Sequence, residues 1–304
     1  MATEPQVKEQ LIIKTDSCIQ YIDIDQRLQY VYDIEQLIWS LNNDNLYQSR
    51  EQIMKIIKEH KNIVKFTLKC IDYVSNKRKK EYQIFVDIFI YISRAFNTIV
   101  DIKNNEFAVL LNYYELKLAK DKKTKDVDTI KNIAPENTIY HAIIWDQFEK
   151  MGDYYVDGFD PNKTYKDYNS NKFSLLDLAA KYSSVNCFKF LIANNAKITE
   201  KTVKACIEGG NNEILRILVQ KGANLNFMLS VAIESHQNQI ADYLISNFNC
   251  EKITIAQCLA MFNIQAAFFL FDNGNDINET FNEILYLYSS KNSLYSIIQF
   301  TIHL

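Results

Sequence analysis

Phe190-Leu191-Ile192-Ala193-Asn194-Asn195-Ala196 and Ile217-Leu218-Val219-Gln220-Lys221-Gly222-Ala223 share one layout. Tyr243-Leu244-Ile245-Ser246-Asn247-Phe248-Asn249 and Phe269-Leu270-Phe271-Asp272-Asn273-Gly274-Asn275 repeat it. The four leucines fall 27, 26 and 26 residues apart. A second marker agrees, because Gly222-Ala223-Asn224-Leu225-Asn226 and Gly274-Asn275-Asp276-Ile277-Asn278 lie 52 residues apart, and Gly158-Phe159-Asp160-Pro161-Asn162 has the same form. Two coincident periods predict internal repeats. Each unit offers an alanine-containing stretch (Leu176–Tyr182, Val203–Glu208, Leu229–Glu234, Ile255–Phe262), a polar turn, and a second stretch ending at the leucine. Helices this short are marginal alone, so the pairs are expected to stack as an α-solenoid with 26–27-residue repeats. The glycine after the second helix supplies a left-handed stop, and Asn or Asp two residues later favours a turn.

Upstream, apolar residues recur at helical spacing: Ile24, Leu28, Val31, Ile34, Leu37, Ile38 and Leu41 form one stripe. Further stripes centre on Ile53–Ile57, Val64–Ile71, Tyr82–Phe96 and Phe107–Leu118, predicting five antiparallel helices. Lys120–Lys131 has no apolar period and precedes Pro135, so the reading places a helical N-terminal domain at 1–135 and the repeats at 136–304. Composition agrees with an all-α chain: 304 residues, 48% hydrophobic, with only 6 glycines and 3 prolines. The formal charge of −3 invites no polyanion, so no nucleic acid is expected as a partner. No apolar stretch is long enough for a bilayer span. Six cysteines without zinc-type spacing, after a polar start at Met1–Gln10, predict free thiols and a cytoplasmic protein.

Residues at spacings that carry chemistry are few. His60, His141, His236 and His303 have no metal-ligand spacing, and Cys187, Cys206 and Cys258 fall in or beside repeat helices as small hydrophobes. Counting a calcium loop from Asp153 puts Tyr155 at position three and Thr164 at position twelve, where oxygen ligands are required. Lys77-Arg78-Lys79-Lys80 reads first as a solvated loop and second as a nuclear address or acidic-partner contact. The expectation is therefore no catalytic residue, no metal and no cofactor.

Phe173-Ser174-Leu175-Leu176-Asp177-Leu178-Ala179-Ala180-Lys181-Tyr182, followed by Val185-Asn186-Cys187-Phe188-Lys189-Phe190-Leu191, resembles an ankyrin repeat. The Gly222–Asn226 and Gly274–Asn278 segments are similar to that family's G-A-D-x-N close. With its helical N-terminal half, the chain resembles the large ankyrin-protein families of trichomonads and other protists. Ser174-Leu175-Leu176-Asp177 replaces the usual T-P-L-H opening, and the short repeat predicts shortened or absent fingers except before Ser174, where Lys163–Lys172 leaves room for one. Ser174 and Asp177 read as a capping box.

Candidate contact residues follow. Tyr165, Tyr168 and Asn169 in the finger are favoured at an interface, since tyrosine in a polar loop has no core to fill. The resemblance implies contact through the first helix of each pair, at Tyr182, His236 and Phe262. At the C-terminus Ile298, Phe300 and Ile302 alternate with polar residues and suit a strand docked on a partner or second subunit, or else a last helix packed at home. The first functional expectation is a non-enzymatic adaptor that binds one or more proteins. The second is a structural subunit of a large cytoskeletal or microtubule-associated assembly, and an enzyme ranks third.

Overall fold

The computed structural model describes residues 18–114, 116, 126–155, 159–166 and 172–274. It is mostly helical, so the chain is all-α. The described residues form two compact units. One holds residues 134–253; the other joins residues 18–133 to those from Thr254 onward. A break at Ala134 lies beside the expected one at 135, and a second at Thr254 separates the last helix pair from the three before it.

The larger unit contains α1 (Gln29–Ser40), α2 (Leu46–Glu59), α3 (Val64–Lys77), α4 (Tyr82–Phe96), α5 (Asn105–Tyr113) and α6 (Val127–Lys131). The five expected stripes account for α1 to α5. The α6 helix lies in the segment read as a break, and its Ile130 joins the core because Val127 and Ile130 are three apart on one helical face. Helix α4 buries a broad face, Ile84, Phe85, Val86, Ile88, Phe89 and Ile92, because it packs against α2, α3 and α5, and leaves Gln83, Asp87 and Tyr91 exposed. It stops at Asn97, whose left-handed φ of 45° suits asparagine. Asp72 on α3 accepts the Lys103 and Asn104 N–H groups at 2.8 and 3.2 Å, holding the loop that leads into α5. Burial raises its carboxyl above the ordinary aspartate value.

The smaller unit contains α7 (Ile139–Ile144), α8 (Met151–Tyr154), strands β1 (Thr164–Lys166) and β2 (Lys172–Ser174), and the helices α9 (Leu175–Lys181), α10 (Val185–Ala193), α11 (Glu200–Gly209), α12 (Asn212–Gln220), α13 (Leu229–Glu234) and α14 (Asn238–Asn247). Helix α9 packs on α10 and on α11; α11 packs in turn on α12 and α13. The pair α15 (Ile255–Ala260) and α16 (Ile264–Asp272) belongs to the larger unit, where α16 meets α1 and the Ile19–Tyr21 turn.

Every pair uses one backbone device. The first helix ends in a left-handed residue, Ser183, Gly210, His236 or Phe262, at φ of 58°, 74°, 59° and 54° and at steps of 27, 26 and 26. In three of them the next N–H reaches back five residues: Ser184 to Ala179 at 2.9 Å, Gln237 to Ala232 at 2.8 Å and Asn263 to Cys258 at 2.9 Å. Ala179, Cys206, Ala232 and Cys258 share this position and are fully buried, so cysteine serves where the repeat needs a small side chain. Leu191, Leu218, Leu244 and Leu270 are likewise buried at matching places in the second helices. Gly209 allows α9 and α11 to meet, for a Cβ there would lie 2.4 Å from the Ala180 carbonyl oxygen. Ser183 Oγ donates to the Gly209 carbonyl at 2.8 Å and fixes the approach.

Candidate protein-binding surface

The finger is a β-hairpin in which Tyr165 pairs with Phe173 across antiparallel strands. Cross-strand partners share a face, and this face meets Tyr140 of α7: the Tyr140 ring lies 5.4 Å from Tyr165 and 6.2 Å from Phe173. Tyr165 is therefore half-buried in an aromatic cluster, which corrects its reading as a loop tyrosine with no core to fill. Desolvation, with Asp160 nearby, raises its phenol above the ordinary tyrosine value. The hairpin base is tied to the first helices. Lys201 Nζ donates to the Lys172 carbonyl at 2.9 Å. The expected capping box is present, with Ser174 N–H donating to Asp177 Oδ2 at 2.8 Å, and Thr202 Oγ1 donates to Asp177 Oδ1 at 2.6 Å.

Tyr182, His236 and Phe262 do not form one row. His236 and Phe262 are the left-handed turn residues, whereas Tyr182 caps α9 one residue before its turn; its counterparts are Gly209, Ser235 and Met261. His236 and Tyr182 are half-buried. Phe262 is 7% exposed and its ring packs on Phe66 and Tyr73 at 5.3 and 5.5 Å, so it is spent on the core and offers a partner no exposed ring. Tyr168, Asn169, Ile298, Phe300 and Ile302 lie outside the described residues.

A row that sequence reasoning missed runs along the last turns of α9, α11 and α13: Lys181, Glu208 and Glu234, at steps of 27 and 26. Lys181 Nζ stands 3.0 Å from Glu208, bridging α9 and α11. Glu200, Lys201 and Lys204 on α11 are exposed beside it, and Lys189 pairs with Glu213 at 2.5 Å between the second helices. The 26–27 period applied to charged positions would have found the row. Trp145 was also missed; it is exposed and stacks on His141 at a centroid distance of 4.4 Å.

Two helix N-termini are closed by carboxylates from elsewhere. Asp146 accepts the N–H groups of Asn186 at 3.2 Å and Cys187 at 2.9 Å, at the start of α10. Glu251 accepts those of Leu229 and Ser230 at 3.2 and 2.8 Å, replacing the cap that Met228 cannot give α13. Among the described residues no group of three His, Cys, Asp or Glu side chains is arranged to hold a metal, and no helix is long and apolar enough to cross a membrane.

Residues 194–271 match a family described as a domain of unknown function, DUF3447, a domain found in ankyrin-repeat-containing proteins. No curated protein matches the chain. The matched span contains α11 to α15 and nearly all of α16, the helices that carry the 26-residue step.

Proposed function

We propose that the chain is a non-enzymatic protein-interaction module, an adaptor whose ankyrin-like helix pairs offer another cytoplasmic protein a solenoid surface. The observation that carries this reading is the row from the hairpin through Lys181, Glu208 and Glu234. It sets charged groups of both signs at the spacing of successive helix pairs, beside the aromatic residues of the hairpin. Such a row reads shape and charge over several repeats, as extended repeat surfaces do. The DUF3447 match supports the ankyrin-like assignment.

The test is affinity purification of the tagged full-length chain from its native cells, with mass spectrometry, beside a Lys204→Glu variant of equal thermal stability. The wild type should recover a reproducible protein set that the exposed charge reversal depletes at least about five-fold, the equivalent of roughly 1 kcal/mol. A set unchanged by Lys204→Glu would refute the surface. Self-association of the purified chain, read by light scattering, would instead favour a structural subunit of a larger assembly.

A further inference from the structure

The exposed face of α4 in the larger unit carries a second, chemically distinct surface. At one end Arg50 of α2 lies between two tyrosine rings, its guanidinium carbon 5.4 Å from the Tyr47 centroid and 4.8 Å from that of Tyr91 on α4. Tyr47 is 73% exposed and Tyr91 42%. Among the described residues the carboxylate paired with Arg50 is Glu51, at 3.9 Å and largely in solvent. Both rings lie within cation–π reach of the guanidinium, and among the described residues no acid stands at hydrogen-bond distance from its donors.

At the other end the Lys131 ammonium sits 4.1 Å from the Tyr113 centroid and 4.8 Å from that of Tyr114. Tyr113 is 56% exposed, and the Tyr114 hydroxyl donates to Gln83 Oε1 of α4 at 3.0 Å. Gln83 in turn donates to Asp87 Oδ1 at 2.8 Å, which occupies the acid between the two clusters. Gln83 and Tyr91, the α4 residues that the two clusters touch, are eight residues apart, about 12 Å along the helix.

We infer that this face docks an acidic segment of a partner protein, with two carboxylates roughly 12 Å apart, one on Arg50 and one on Lys131. Charge complementarity selects that occupant: each end offers a cation backed by tyrosine, and tyrosine and arginine are enriched where protein interfaces concentrate their energy. The inference is independent of the repeat surface proposed above, for it uses none of the same residues.

The probe is an array of 15-residue peptides carrying two glutamates at separations of one to eight residues in a Leu/Ala background, titrated against the full chain by fluorescence anisotropy at low salt. Binding should peak at the separations that span about 12 Å, eight residues in a helix or four in an extended chain. It should fall at least about five-fold for Arg50→Gln, for Lys131→Gln, and for peptides with Gln in place of Glu. Tyr47→Ala, at a largely exposed site, supplies a variant whose fold does not depend on the cations. The inference is overturned if no peptide binds, if binding ignores the separation or these substitutions, or if only a single-stranded oligonucleotide probe is sensitive to them.

Discussion

The α11–α12 and α15–α16 pairs are built alike and packed differently. They are 52 residues apart, and the match is position by position: Cys206 with Cys258, Gly210 with Phe262, Asn211 with Asn263, Leu218 with Leu270, Gly222 with Gly274. Asn211 and Asn263 even cap alike, each Oδ1 accepting at 3.0 Å from the N–H three residues on. The outer positions diverge. Asn212, Glu213 and Arg216 are exposed on α12, where α16 has Ile264 and Gln265 buried and Phe268 half-buried. Helix α16 is apolar nearly all round because α1 and the Ile19–Tyr21 turn cover it, whereas α12 keeps a wet face. One repeat plan thus serves two ends, and the side chains outside the shared leucine decide which.

The largest test of that contrast is truncation at one matched position. Phe269 is 1% exposed and Ile217 half-buried. Phe269→Ala should cost about 3–5 kcal/mol and Ile217→Ala about 1 kcal/mol in chemical denaturation. Equal losses would mean that α16 is no better covered than α12. Next in size is Glu35, a fully buried acid on α1 whose Oε2 accepts the Ile264 N–H at 2.9 Å. Glu35→Ala leaves that N–H without its carboxylate and should cost about 1–3 kcal/mol, with Glu35→Gln costing less because an acceptor remains. If Gln proves no better than Ala, the bond to α16 is not what Glu35 contributes.

These contrasts also mark how far the sequence could be read. The leucine period, the small residue before each turn, the Ser174 box and the hairpin before it are local, and all were visible as spacing. The exposed-to-buried change from α12 to α16 was equally present in Asn212, Glu213 and Arg216 becoming Ile264, Gln265 and Phe268. The pairing of Glu35 with Ile264, 229 residues away, was not, because no local pattern names the partner of a lone acid on a helix face. Tyr165 misled for the same reason: its packing partner Tyr140 lies on another helix. The left-handed turns at His236 and Phe262 were hidden because glycine marks only one of the four.

Those turns give a smaller test with opposite signs. A side chain at left-handed φ costs about 1–2 kcal/mol, so His236→Gly, at a half-buried site, should raise stability by up to about 1 kcal/mol. Phe262→Gly relieves the same strain but removes a ring packed on Phe66 and Tyr73 and should destabilise on balance. Thermal midpoints moving the same way in both variants would contradict the assignment of Phe262 to the core.

The smallest effect concerns Cys206 and Cys258, which hold one position in the two pairs. Burial pushes the Cys206 thiol up to about 12 and raises that of Cys258 as well, so at pH 8 each is almost wholly protonated. A buried, protonated thiol reacts with iodoacetamide only through local opening, and its labelling rate then reports how often its helix pair comes apart. Cys18, half-buried, should label first and serve as the internal reference. With α16 covered and α12 open to water, Cys206 should label several-fold faster than Cys258 under native conditions, read by mass spectrometry of digested time points. Equal rates would show that the cover on α16 adds burial without adding local stability, and the contrast between the two pairs would then be one of composition alone.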